Sequence, residues 1–169
     1  FEIIATDKNV DAETKVKIIT EMSKAAGAEG MVGGQVIDMQ SENKKIDIQT
    51  LKQMHAAKTG ALFCAAIRSG AILAGADEKQ LANLTEYARQ FGLAFQITDD
   101  ILDVVGDIGK PVGSDEKNHK STYVTLGSLG SAKALAQEAV DKAKASLVDF
   151  GENAEFLRAL VDYLITRNK

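Results

Sequence analysis

Residues Gly92 to Val105 read GLAFQITDDILDVV, a pattern that admits few folded structures. As a helix, each residue turns about 100° from the last, so faces follow by arithmetic. With Gln96 at zero, Gly92, Gln96, Asp99, Asp100 and Asp103 fall within an arc of roughly 100°. The rest of the circumference carries Leu93, Ala94, Phe95, Ile97, Ile101, Leu102, Val104 and Val105, with Thr98 its one mildly polar member. A helix this apolar over most of its surface is buried among others in a bundle. Its polar stripe must then face something other than apolar packing.

The remaining sequence agrees with an all-α chain. One proline in 169 residues, abundant alanine and no alternating β-branched runs leave little room for a sheet. Asp11 to Ala26 reads as a helix with Val16, Ile19, Met22 and Ala26 on its apolar stripe. An apolar segment follows from Met31 to Met39, carrying Gln35 and Asp38, and Ser41 to Asp47 forms a polar connector. A helical pattern resumes through Leu51, Met54, Lys58, Leu62 and Ala65 to about Leu73. Asp77 suits the N-cap of a long helix ending near Asp107, because a carboxylate there accepts unpaired first-turn amides. Gly106 to Thr122 holds the proline, three glycines and three lysines and reads as a loop. Helices follow at about Ser131 to Val148 and Glu152 to Thr166. With no repeat or linker, residues 1–169 read as part of one domain.

Composition narrows the function. One cysteine, Cys64, forms no internal disulfide, and His55 and His119 make no zinc signature. A net charge of −4 without a basic block argues against nucleic acid as the main partner. No run approaches the roughly 18 uninterrupted apolar residues of a spanning helix, and the start lacks a signal pattern, so a cytoplasmic protein is expected.

The acidic stripe has two physical solutions. Adjacent carboxylates repel by about a few tenths of a kcal/mol per pair when exposed, and by more in a low dielectric. Either the stripe is a solvated face at the end of the bundle, or a divalent cation relieves the repulsion. The apolar arc around it favours the cation in a lined cavity. Magnesium suits it, since it takes carboxylate oxygens and commonly bridges them to phosphates. Lys58 lies on an apolar stripe, where an ammonium either snorkels outward or faces an anion. Gly109-Lys110-Pro111-Val112-Gly113, with Lys117 and Lys120, joins backbone freedom to cations in a way that suits a diphosphate, or else a solvated turn. It is not a nucleotide P-loop, because Pro111 follows Lys110 where Ser or Thr is needed.

Taken in order, Gly34-Gln35 with Asp38, Lys58-Thr59-Gly60, Phe95-Gln96-Ile97-Thr98-Asp99-Asp100-Ile101-Leu102-Asp103, Gly109-Lys110 and Lys120-Ser121-Thr122-Tyr123 resemble the trans-prenyl diphosphate synthases. The bacterial farnesyl and geranylgeranyl diphosphate synthases are the nearest type, and the likeness extends to the ending Leu164-Ile165-Thr166-Arg167-Asn168-Lys169. The resemblance implies an antiparallel helical bundle of the isoprenoid synthase type, usually a homodimer. It implies a prenyltransferase: an allylic diphosphate ionises and isopentenyl diphosphate attacks the carbocation. Asp99, Asp100 and Asp103 match the second aspartate-rich motif, which holds Mg2+. Lys58 and Lys110 match lysines that contact the allylic diphosphate, and Lys120 matches a motif lysine nearby that is counted with the substrate-binding residues. Thr59, Gln96 and the Lys58 carbonyl match oxygens near the allylic cation. Pyrophosphate is itself a sufficient proton acceptor in this family, so no protein base is nominated.

The first aspartate-rich motif and the isopentenyl diphosphate residues do not occur in this sequence, and the opening Phe1-Glu2-Ile3-Ile4-Ala5 reads as the end of something longer. The expectation is therefore a C-terminal half, truncated and with little turnover alone. Two competing identities are a terpene cyclase of the same fold, which a product assay with isopentenyl diphosphate separates, and a non-catalytic helical subunit.

Overall fold

The computed structural model describes residues 1–105 and 120–167. Nine α-helices occur among the described residues: α1 (Glu2–Thr6), α2 (Ala12–Ala26), α3 (Met31–Ser41), α4 (Ile48–His55), α5 (Ala61–Leu73), α6 (Glu78–Val105), α7 (Tyr123–Leu126), α8 (Leu129–Ser146) and α9 (Glu155–Thr166). A single π turn, Ala56–Gly60, joins α4 to α5, and a 3-10 turn, Val148–Ala154, leads into α9. No strand occurs among these residues, as an all-α chain requires.

Local chemistry sets the boundaries. Asp11 accepts the Thr14 amide at 2.9 Å and Asp47 the Thr50 amide at 2.7 Å, each opening a helix. Asp77 caps α6 as expected, accepting from the Gln80 amide at 2.8 Å. The Gln80 side chain returns the bond to the Asp77 amide at 3.0 Å, completing a capping box. Gly75, at φ 71°, ends α5. Its amide reaches the Ile72 carbonyl and the Ala76 amide reaches that of Ala71, a closure that favours glycine.

The core forms around α6. Tyr87, Phe91 and Ala94 meet Ala139, Val140 and Ala143 of α8 and Val161 and Leu164 of α9. Further along, Ile97 and Ile101 pack with Leu51 and Met54 of α4, Tyr123 of α7, and Ala132 and Ala136 of α8. Ala132, Ala136, Ala139 and Ala143 recur at three- and four-residue spacing, so α8 presents a small-residue seam to α6. Leu51 and Ile97 are fully buried, a contribution of about 1.5–3 kcal/mol each.

Three expectations shift. α2 buries Ile18 and Ala25 and leaves Val16 63% exposed, because its inward face is turned toward α5, where Arg68 grips Glu21. Val104 and Val105 are exposed where α6 ends, so the helix is not enclosed over its whole length. The Leu51–Leu73 run is not one regular helix, since the π turn breaks its phase at Lys58. The continuous run Ile48–Leu73 is long and apolar enough to cross a membrane by length and composition, although here it packs against α2, α3 and α6. The loop expected over Gly106 to Thr122, with Lys110 and Lys117, lies largely outside the described residues; Lys120 to Thr122 are non-helical and lead into α7.

Candidate active site

The polar stripe of α6 faces a cavity of about 480 Å³. Across from it are Asp38 of α3 and the π turn of Lys58 and Thr59, and its rim is made by Lys120, Ser121 and Thr122. Gln96, Asp99, Asp100 and Asp103 line it from α6. Every described residue assigned to the site from sequence therefore reaches one cavity, with Lys110 outside the described residues. Gln35 does not reach it and is exposed.

The π turn explains why Lys58 and Thr59 serve together. Successive residues of an α-helix point about 100° apart, whereas a local widening re-aims them, and such turns recur at functional sites. Backbone proximity holds the turn: a Cβ on Gly34 of α3 would lie 2.2 Å from the Lys58 amide nitrogen, and one on Gly92 of α6 would lie 3.2 Å from Gly60 Cα. α3 can cross the turn this closely only because position 34 has no side chain.

Lys58 neither snorkels away nor stands alone. Its ammonium donates to Asp38 at 2.6 Å, with the carboxylate 14% exposed, so the anion it faces in this structure belongs to the protein. Asp100 and Asp103 are buried, and Asp99 is half-exposed toward the cavity. Asp100 accepts the backbone amide of Tyr123 at 2.7 Å, which ties α6 to the start of α7. Asp99 pairs with Arg167, which also donates to Thr98 at 3.1 Å and lies over the Phe95 ring at 4.8 Å. Sequence reasoning assigned no role to Arg167 or His55. Arg167 follows α9 and is 68 residues from Asp99, a pairing that helical periodicity cannot reveal. His55 lines the same cavity, and burial pushes its imidazole down to about 4, leaving it neutral near pH 7.

Five carboxylates (Asp38, Glu42, Asp99, Asp100 and Asp103) and three cations (Lys58, Lys120 and Arg167) line the cavity. That excess suits a cation, or an anion accompanied by one, better than a bare anion. Among the described residues no group of three or more acidic, histidine or cysteine side chains is gathered into a metal cage. A hard cation that keeps its waters and shares a phosphate ligand needs only one or two carboxylates, and this donor set meets that requirement.

The sequence matches the polyprenyl synthetase family over residues 1–157. The chain belongs to this family. Dimethylallyltranstransferase of Fischerella ambigua is 44% identical over 98% of this chain and 49% of its own length. Farnesyl diphosphate synthase of Escherichia coli is 42% identical over 95% of this chain and 56% of its own. The geranyltransferase of Helicobacter pylori, whose crystal structure is complexed with magnesium and isoprenyl diphosphate, superposes with a TM-score of 0.78 at 25% identity, covering 98% of this chain and 55% of that one. The chain thus spans about half the length of the polyprenyl synthetase relatives it matches, and it has their all-α isoprenoid synthase fold.

Proposed function

We propose that this chain forms the allylic-diphosphate wall of a farnesyl- or geranylgeranyl-type diphosphate synthase, an enzyme that condenses isopentenyl diphosphate with an allylic diphosphate. The observation that carries this is the meeting of Lys58, Thr59, Gln96, Asp99, Asp100, Asp103 and Lys120 on one cavity in a member of the polyprenyl synthetase family. The Helicobacter geranyltransferase, with its magnesium and isoprenyl diphosphate, supports both the ligand class and the use of a divalent ion.

The residues divide the work by charge. Ionisation of an allylic diphosphate yields an anionic leaving group and a carbocation, which need opposite surroundings. Lys58 and Lys120, joined by Lys110 on the family resemblance, hold the diphosphate. Asp99, with Asp103 beside it, would hold Mg2+ once Arg167 gives way, and the ion would supply positive charge on the diphosphate side. The hydroxyl of Thr59 and the amide oxygen of Gln96 present dipoles to the cation. Met54 and Leu102, the apolar side chains that line the cavity from α4 and α6, keep water from quenching it. Asp38 holds the Lys58 ammonium at the cavity wall, and its three N–H donors let the ammonium keep that pair while donating to a phosphate oxygen.

Calorimetric titration of the 169-residue chain with pyrophosphate tests this reading. Binding is expected only with magnesium, because the carboxylate excess repels the bare anion, and Asp99→Ala is expected to abolish it. Equal binding with and without magnesium, or an unaffected Asp99→Ala, contradicts the assignment.

A further inference from the structure

A second cavity, of about 170 Å³, lies behind the π turn, between α4, α5, α6 and the start of α7. None of the residues assigned to diphosphate chemistry lines it. His55 is the one residue shared by the walls of both cavities. Most of the surface is apolar, supplied by Leu93, Cys64 and the small residues where the π turn and α6 approach at Gly60 and Gly92. The polar groups are all cations or hydrogen-bonding rings: Lys52, Arg89, Tyr123 and His55, with no acidic residue among them.

Two of these groups are unsatisfied. The Tyr123 hydroxyl and His55 Nδ1 are buried without a hydrogen-bond partner, and Tyr123 is only 3% exposed. Their rings stand 5.6 Å apart, so both orphan atoms belong to one corner of the molecule. A buried polar atom left unpaired has lost its water without compensation, so a group that pairs with it gains affinity. Burial keeps the Tyr123 phenol protonated and therefore a donor. The space equals roughly six waters by liquid volume, enough for one small molecule. Apolar walls suit an apolar body, and a lining with donors and two cations but no acidic side chain suits an anionic end near the exposed Arg89. Glu138 near Lys52 and Asp100 near Tyr123 are the acids outside it.

We propose that this cavity binds a small amphiphilic carboxylate, its apolar body among Leu93 and Cys64 and its carboxylate among Lys52, Arg89 and Tyr123. The site is built wholly from this chain and is independent of the diphosphate reading. Cys64 is the only cysteine in the sequence and lines the cavity, so its alkylation rate reports occupancy.

The test uses benzoate as probe, with benzamide lacking the charge and acetate lacking the apolar body, and follows iodoacetamide labelling of Cys64. The expected result is saturable protection by benzoate that is about tenfold weaker with benzamide or acetate. Lys52→Ala with Arg89→Ala, and separately the near-isosteric Tyr123→Phe, are expected to weaken benzoate by a comparable factor. Circular dichroism confirms that each variant is folded. Pyrophosphate with magnesium is expected to leave the protection unchanged. The proposal is overturned by absence of saturable protection, by equal protection from benzamide, by unchanged affinity in both sets of variants, or by displacement with magnesium pyrophosphate, which places the benzoate in the first cavity.

Discussion

His55 shows how a single side chain can couple stability to pH. Desolvation is the main cause of its lowered value; Asp38 opposes it, while Lys58 and Lys120 reinforce it. The folded imidazole titrates at about 4, against 6.5 when unperturbed. Between these values the unfolded chain binds a proton that the folded chain refuses, so stability falls as pH drops through this window and is fully present above it. The loss is on the order of 3 kcal/mol by linkage. Urea unfolding of wild type and His55→Gln at several pH values is expected to give a difference that changes between pH 6.5 and 4 and is flat above; parallel curves over that window contradict a buried neutral histidine. Arg68 makes a geometric demand instead. Its guanidinium meets both Glu21 oxygens at 2.8 and 2.7 Å and Thr85 at 2.7 Å, joining α2, α5 and α6. Lysine keeps the charge but not the fork, so Arg68→Lys is expected to cost about 1–2 kcal/mol in thermal unfolding, where an ordinary exposed ion pair costs almost nothing.

At the scale of elements, the site depends on a helix that changes its pitch. Gly34 is the position to test, because a methyl there meets the Lys58 backbone at 2.2 Å rather than the end of a flexible side chain. Gly34→Ala is expected to separate α3 from the π turn, destabilise the chain by about 1–3 kcal/mol, and weaken magnesium-dependent pyrophosphate binding through Lys58. Gly70→Ala, where a Cβ meets nothing within 4 Å, is the control and should be neutral or slightly stabilising. The aspartate stripe and the cap at Asp77 were legible in the sequence because both are local: 3.6-residue periodicity and an aspartate one residue before a helix are written in adjacent letters. The π turn was not, because Ala56–Gly60 has the composition of the helix on either side and its widening arises from close packing against α3 and α6. The Asp38–Lys58 and Asp99–Arg167 pairs were hidden for a related reason, since each joins elements whose contact is set by tertiary structure. The resemblance supplied the residues of the cavity; how they are paired within it comes only from the packing.

At the scale of the whole chain, the described helices leave apolar surface that they do not cover among themselves. On α3, Val32, Val36 and Met39 are 49%, 47% and 61% exposed, at four- and three-residue spacing, which places them on one stripe. The opposite side of the same helix brings Gly34 against the π turn, so rotating α3 to hide the stripe would pull apart the backbone contact that positions Lys58. A stable chain with this surface is expected to bind an apolar dye and to associate as concentration rises. Replacing Val32, Val36 and Met39 with Thr, Gln and Gln is expected to reduce dye fluorescence and association in light scattering. Stability should change by less than about 0.5 kcal/mol, the usual range for surface positions. Magnesium-dependent pyrophosphate binding should persist, because none of the three lines the diphosphate cavity. A loss of 2 kcal/mol or more, in the range of truncating buried side chains, would instead mean that α3 is covered in solution and that the exposed stripe is wrong.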